Sequence, residues 1–71
     1  MEKLLNAINK EQSKYDNNYN DNGLKVVEQS GNIVYLKDNA NNDYACRVSD
    51  NGRYKKDSFH LTRSFLEMCY G

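Results

Sequence analysis

The first fifteen residues carry apolar side chains at the spacing of an amphipathic helix. On a helical wheel these side chains fall in one stripe, and polar side chains fill the opposite arc. The stripe consists of Met1, Leu4, Leu5, Ile8 and Tyr15. An Asn- and Asp-rich segment follows, and it ends the helix because Asn and Asp side chains hydrogen-bond their own backbone and stabilise turns. The pattern predicts a helix over residues 2–15 and a loop over residues 16–23.

From Leu24 onward, apolar residues recur at every second position, as they do in half-buried β-strands. Val, Ile and Tyr are enriched in this part of the chain, and clusters of Asn, Asp and Gly separate the apolar runs. We predict strands over residues 24–28, 32–37 and 43–49. Because the connections are short, the three strands should form an antiparallel meander.

The hairpin register is predicted by keeping the apolar residues on one face. A three-residue loop at 29–31 pairs Val26 with Val34, whereas a two-residue turn would mix apolar and polar residues on both faces. A five-residue loop at 38–42 pairs Val34 with Cys46 in the second hairpin. The other predicted pairs are Leu24 with Leu36 and Leu36 with Tyr44. The predicted core wall consists of Leu24, Val26, Val34, Leu36, Tyr44, Cys46 and Val48.

The last third of the chain predicts one more strand and a second helix. Asp50, Asn51 and Gly52 are typical turn residues, and residues 53–56 could add a short fourth strand. Asp57 or Ser58 can cap a helix over residues 58–70. Its apolar half consists of Leu61, Thr62, Phe65, Leu66, Met68 and Cys69, with Phe59 at the margin and Gly71 placed to end the helix. The predicted fold is α+β: an N-terminal helix, a three- to four-stranded antiparallel meander and a C-terminal helix in one small domain, residues 1–71.

Composition limits the function classes. The chain has 71 residues with ten cationic and ten anionic side chains, so its net charge is zero. This balance argues against a strongly basic nucleic-acid binder and against an acidic mimic of DNA. A core of this size supplies only about 3–5 kcal/mol. An enzyme with a deep substrate pocket is therefore not expected.

The N-terminus and the cysteines indicate the compartment. The first residues lack the apolar run of a signal peptide, and no stretch approaches the length of a membrane-spanning helix. We therefore expect a cytoplasmic protein with reduced thiols and no membrane partner. Cys46 and Cys69 have apolar neighbours and no zinc-binding spacing, so they are interpreted as small buried hydrophobic residues. We expect no metal and no cofactor.

Candidate catalytic residues are few. His60 is the single histidine, and it lies on the polar half of the predicted second helix. Cys69 would project from the opposite side of that helix, so the two cannot form a nucleophile–base pair. No phosphate-binding glycine loop and no hydrolase motif is present. A solvated surface histidine and a non-enzymatic protein are the preferred interpretation.

The second face of the predicted sheet has the composition of a binding surface. Cationic side chains surround an aliphatic and aromatic centre there, an arrangement that suits recognition of a protein. The candidate protein-binding residues are Lys25, Val27, Ile33, Tyr35, Lys37 and Arg47, with Ala45 between them. The alternative is that a helix covers this face, which would make its apolar residues ordinary core. The patch, or an unpaired strand edge, could also form a homodimer, so monomer and homodimer both stay open.

One basic cluster offers a second function. Arg53, Lys55, Lys56 and Arg63 are close in sequence, and Asp57 is the single acidic residue among them. These cations could contact the phosphates of a nucleic acid in a salt-dependent way. The alternative is a solvated strand end, where lysines prevent edge-to-edge pairing.

Two resemblances add to this interpretation. The order helix, three strands, helix resembles the double-stranded-RNA-binding domain, and Lys55 and Lys56 are similar to the paired basic residues ahead of that family's second helix. This resemblance implies contacts to phosphates across a groove. The spacing of apolar residues is similar to that of small phage and prophage proteins with SH3-like strand meanders. The residues that carry it are Gly23, Val27, Val34, Tyr35, Leu36, Cys46, Phe59 and Phe65.

The second resemblance implies a small accessory protein that modulates a host protein. Together, these observations favour a non-catalytic protein-interaction module of phage or mobile-element type, with an unidentified protein partner. A nucleic-acid-binding domain and a structural homodimer are the alternatives.

Overall fold

The computed structural model of the chain describes residues 2–19 and 22–70, with the backbone alone for residues 68–70. The elements, in chain order, are α1 (Glu2–Tyr15), β1 (Lys25–Ser30), β2 (Ile33–Lys37), β3 (Asp43–Arg47), β4 (His60–Leu61) and α2 (Thr62–Tyr70). The four strands form one antiparallel sheet in the order β1-β2-β3-β4. This is the predicted α+β arrangement. The places predicted for Met1 and Gly71, and for the Met68 and Cys69 side chains, lie outside the described part of the chain.

Helix α1 has the predicted bounds, and it docks through its N-terminal half. Leu4 and Ile8 are buried, and Leu5 packs against the core cluster that they join. Tyr15 was predicted to extend the apolar stripe, but its side chain is 73% exposed. Its hydroxyl donates a hydrogen bond to the Asp57 carboxylate at 2.9 Å. The stripe therefore ends before Tyr15, because this side chain has a polar partner at the surface.

The predicted register of the first hairpin is wrong. Val26 pairs with Leu36 rather than with Val34, and Val27 is an extra residue that forms a β-bulge before Glu28 pairs with Tyr35. The predicted pair of Leu24 with Leu36 is likewise absent, since Leu24 precedes β1. A two-residue turn at Gly31 and Asn32 closes the hairpin in place of the predicted three-residue loop. Gly31 has φ +60°, which suits the first central position of a type II′ turn.

The second hairpin has the predicted register. Leu36 pairs with Tyr44, and Val34 pairs with Cys46 across the five-residue loop 38–42. The buried Asp38 carboxylate organises this loop by accepting hydrogen bonds from the backbone of Ala40 and Asn42, from the Asn42 amide and from the Tyr44 hydroxyl. Burial alone would raise the pKa of Asp38, but these hydrogen bonds lower it below the usual value.

The fourth strand and the start of the second helix differ from the prediction. Of the predicted strand 53–56, Tyr54 alone forms a β-bridge, to Val48, and β3 ends at Arg47 rather than at residue 49. The fourth strand is instead His60–Leu61, which pairs with Ala45 and Tyr44. Helix α2 therefore begins at Thr62, not at residue 58.

Neither predicted cap lies at the start of α2. Asp57 has φ +63°, so it occupies a turn. The Ser58 hydroxyl accepts the Arg47 backbone N–H at 3.0 Å and donates to the Lys55 carbonyl at 2.6 Å. The Ser58 hydroxyl thus links the segment before β4 to the end of β3.

The core lies between α1 and one face of the sheet. All seven residues of the predicted core wall belong to it, either buried or packed against the buried cluster. Phe59 stacks on Tyr44 with ring centroids 4.9 Å apart and joins the same cluster. Helix α2 contacts β3 and β4 and packs on the opposite face, where Ala45 and Phe65 are buried. The two helices therefore cover different faces of the sheet.

Candidate functional site

The predicted protein-binding residues largely share the second face of the sheet. Residues paired directly across antiparallel strands project to the same side. Across the strands, Lys25 pairs with Lys37, and Lys37 pairs with Asp43, so these three residues form one row on this face. Ile33 and Arg47 are paired in the same way and form a second row. Tyr35 lies between these rows, opposite Ala45 on one side. The bulge places Glu28, rather than Val27, opposite Tyr35 on the other side, so this face also carries an acidic residue.

Helix α2 covers one half of this face. Ala45 is fully buried, and the Arg47 guanidinium carbon lies 5.6 Å from the centre of the Phe65 ring. Toward β1 and β2 the side chains are more accessible: Ile33 and Tyr35 are half-buried. The face is therefore covered by a helix on its β3 side and more accessible on its β1 and β2 side.

We call the more accessible half the sheet patch: Lys25, Val27, Ile33, Tyr35 and Lys37. Lys25 is exposed, and Val27, at the bulge, is 53% exposed. Lys37 is partly neutralised, because its ammonium lies 3.5 Å from the Asp43 carboxylate.

The predicted basic cluster is divided by the fold. Lys55 and Lys56 line an open groove of about 310 Å³ together with Arg47 and His60, while Arg53 lines a different depression. Arg63 lies on the exposed side of α2 and faces Glu67 at 3.8 Å. The structure thus brings two of the four predicted cations together and adds Arg47, which had been assigned to the sheet face.

The segment that carries Lys55 and Lys56 is fixed by hydrogen bonds on both sides. The Lys55 backbone N–H donates to the Arg47 carbonyl at 3.0 Å. From the helix side, Glu11 accepts the Asp57 backbone N–H at 2.7 Å and the Tyr54 hydroxyl. Burial, together with the Glu11 carboxylate, raises the pKa of Tyr54 above its usual value, so this hydroxyl stays a donor.

A second open groove of about 440 Å³ lies between this segment and α1. Lys10 and Lys14 line it on the helix side, and Lys56 and Asp57 belong to both grooves. Lys10 and Lys14 fall in the polar arc of the α1 helical wheel, and neither was among the site residues predicted from the sequence. Their spacing of four residues, which stacks them on one side of a helix, is the pattern that could have identified them.

The residues that could support nucleophilic catalysis are placed apart. Cys46 is fully buried on the core face, and burial raises the pKa of its thiol to about 11. His60 pairs with Ala45 on the other face, and its Nε2 lies 2.8 Å from the Asp57 carbonyl oxygen. Cys46 and His60 therefore do not form a nucleophile–base pair.

Within 2–19 and 22–70, no group of three or more His, Cys, Asp or Glu side chains is placed to hold a metal ion. None of the described helices is long and apolar enough to cross a membrane. No family of known proteins, no curated protein and no solved structure matches this chain.

Proposed function

We propose that the chain is a non-catalytic protein-binding module that uses the sheet patch to recognise an acidic, partly apolar segment of another protein. The observation that carries this proposal is the incomplete cover of the second sheet face by α2. Val27, at the bulge of β1, is 53% exposed, and Ile33 and Tyr35 on the neighbouring strand β2 are half-buried. Exposed apolar surface of this kind, rimmed by polar side chains, is typical of protein interaction sites.

The charges around the patch indicate the chemistry of the partner. Lys25 is exposed at one end and supplies most of the positive charge, because Lys37, directly opposite it on the neighbouring strand, is partly neutralised by Asp43. Cations at the rim of an interface favour a partner with negative potential and speed its association. Tyr35 supplies a large side chain with a polar tip, the type of residue that contributes most at interfaces.

The proposed biological role rests on the sequence resemblance. The apolar spacing of the chain is similar to that of small phage and prophage proteins, and this resemblance supports a modulator of a host protein that acts in the cytoplasm. The acidic segment would then belong to that host protein.

Substitutions at two equally exposed apolar residues test the binding surface. Val27 is 53% exposed in the patch, and Leu61 is 50% exposed in β4, away from it. The wild-type chain is used to capture its partner from host extract. We expect the Val27→Ser variant to no longer bind this partner, and the Leu61→Ser variant to bind it as the wild type does. Lys25→Glu should weaken the same capture, whereas Lys3→Glu, on the exposed side of α1, should not. Capture that is equal for Val27→Ser and the wild type would contradict the proposal.

Sedimentation at several concentrations separates this proposal from the homodimer. A heterologous partner predicts that the purified chain sediments as a monomer over the whole range. A mass that doubles with concentration in the wild type, but not in Val27→Ser, would instead assign the patch to a homodimer.

A further inference from the structure

We propose that the two open grooves on either side of Lys56 form one basic surface that binds the phosphate backbone of a nucleic-acid strand. The basic surface consists of Lys10, Lys14, Lys55, Lys56 and Arg47. It uses residues outside the sheet patch, so it is independent of the proposed protein-binding function. The ligand follows from three properties of these residues: their charge, their fixed position and the shape of the surface.

The lysines of the basic surface are available for a ligand. Among residues 2–19 and 22–70, the ion pairs within 4 Å are those of Lys37 with Asp43 and Arg63 with Glu67. The four ammonium groups of the basic surface therefore have no carboxylate partner in the described part of the chain. A phosphate that contacts them displaces solvent and counterions, not a protein carboxylate.

The two carboxylates that line the grooves already accept hydrogen bonds. Glu11 accepts the Asp57 backbone N–H and the Tyr54 hydroxyl, and Asp57 accepts the Tyr15 hydroxyl. Four lysines line these grooves beside the two carboxylates, so the grooves carry a net positive charge although the chain as a whole carries none.

The shape of the surface favours an extended ligand. Both grooves are open, and they share the wall formed by Lys56 and Asp57, so the cations follow one another along the surface. Lys10 and Lys14 lie one helical turn apart, about 6 Å along the axis of α1. The hydrogen bonds that its backbone N–H groups donate to Glu11 and to the Arg47 carbonyl hold the segment that carries Lys55 and Lys56. A series of fixed cations suits successive phosphates better than one small anion.

The salt dependence of binding gives the first test. A fluorescein-labelled single-stranded DNA of mixed sequence is titrated with the full chain, and anisotropy is read at 50 and 200 mM salt. About four phosphate contacts predict a slope of log K against log salt near −3, which is a loss of affinity of about 50-fold between these two concentrations. A slope smaller in magnitude than about 1 would overturn the proposal.

Charge-neutralising variants locate the contacts. Lys56→Gln and Lys10→Gln should each reduce the magnitude of the slope by about 0.7, and the double variant Lys55→Gln/Lys56→Gln by about 1.4. Lys3→Gln is the matched control, because it removes the same charge from the same helix two turns before Lys10. These side chains are exposed, so circular dichroism should be unchanged in all variants. An equal effect of Lys3→Gln and Lys56→Gln would overturn the assignment.

A second polyanion decides the class of ligand. Labelled polyglutamate of similar length is titrated under the same conditions. Binding at least tenfold weaker than that of the DNA supports a phosphate-backbone site. Equal affinity for polyglutamate would overturn the nucleic-acid assignment and point to an acidic protein segment at the grooves.

Discussion

The substitution Ile8→Ala tests how α1 is held on the sheet. Ile8 is fully buried, and together with Leu4 it supplies the buried surface of the helix. The change removes three carbon atoms from the core, each worth about 0.8 kcal/mol of transfer free energy. The cavity that remains adds to this loss, and measured substitutions of this type cost about 2–5 kcal/mol. The better helix propensity of Ala offsets only a few tenths of a kcal/mol.

This loss is large compared with the stability of so small a protein. A single core in a chain of 71 residues supplies about 3–5 kcal/mol. We therefore expect Ile8→Ala to shift the urea midpoint to low concentration and to leave a measurable unfolded fraction without denaturant. Far-UV circular dichroism follows the transition, and the fluorescence of the six tyrosines gives a second probe of two-state behaviour.

Two variants bracket the expected effect. Ile8→Val should cost about 0.5–1.5 kcal/mol, because it removes one carbon atom. Asn6→Ala, on the exposed side of the same helix, should change the free energy of unfolding by less than about 0.5 kcal/mol. If Ile8→Ala fell within that same narrow range, Ile8 would not be in the core, and the docking of α1 described above would be wrong.

Three further predictions concern titratable groups. Because the fold lowers the pKa of Asp38, the free energy of unfolding should fall as the pH drops below about 4. Asp38→Asn should make this pH dependence, measured by urea titrations, less steep. An equally steep loss of stability at acidic pH in the variant would contradict the prediction. Because burial raises the pKa of Cys46 to about 11, stability should fall as the pH rises above about 8.5, where the unfolded thiol ionises first. In a Cys69→Ser background the thiol should react with a disulfide reagent only as fast as the protein unfolds, and rapid labelling of the native state would refute this. Tyr54→Phe removes the hydrogen bond to Glu11 and should lower the free energy of unfolding by about 1.5 kcal/mol. Glu11→Gln is the comparison variant, because it changes the acceptor of the same bond. A loss below about 0.3 kcal/mol for Tyr54→Phe would show that this contact does not hold the segment.

The two hairpins show what alternation can and cannot predict. In the second hairpin, apolar residues occupy both faces of β2, but Asp38 forms the loop by local hydrogen bonds, so the turn selects the predicted register. In the first hairpin, Val26 and Val27 are adjacent, and either could face the core. The bulge places Val27 outside the ladder, and the tight turn at Gly31 shifts the register. Because Val26 moved by two positions relative to β2, it kept its predicted face.

The segment before α2 was predicted from local propensity, and tertiary contacts override that propensity. On a helical wheel His60 falls on the polar side and Leu61 on the apolar side, so the sequence pattern alone predicts that the helix begins before them, at residue 58. In the structure, the edge of β3 is open to further backbone hydrogen bonds, and these two residues pair with it. Phe59 stacks on Tyr44, one of the β3 residues that β4 pairs with, and so holds the chain beside that edge. No local pattern contains this information, because Tyr44 lies far away in sequence.

The same limit applies to the candidate sites. The sheet patch could be predicted because alternation places Tyr35 and its neighbours on one face, but the half-cover by α2 depends on where that helix begins. The basic surface as a whole could not be predicted: helical spacing connects Lys10 to Lys14, but Lys56 lies beside them only because α1 packs against segment 54–58. Net charge does not describe an individual groove because, at physiological salt, a charge acts over about 8 Å. The potential of a groove is therefore set by the residues that line it, and a chain of zero net charge can still present a surface that attracts phosphates.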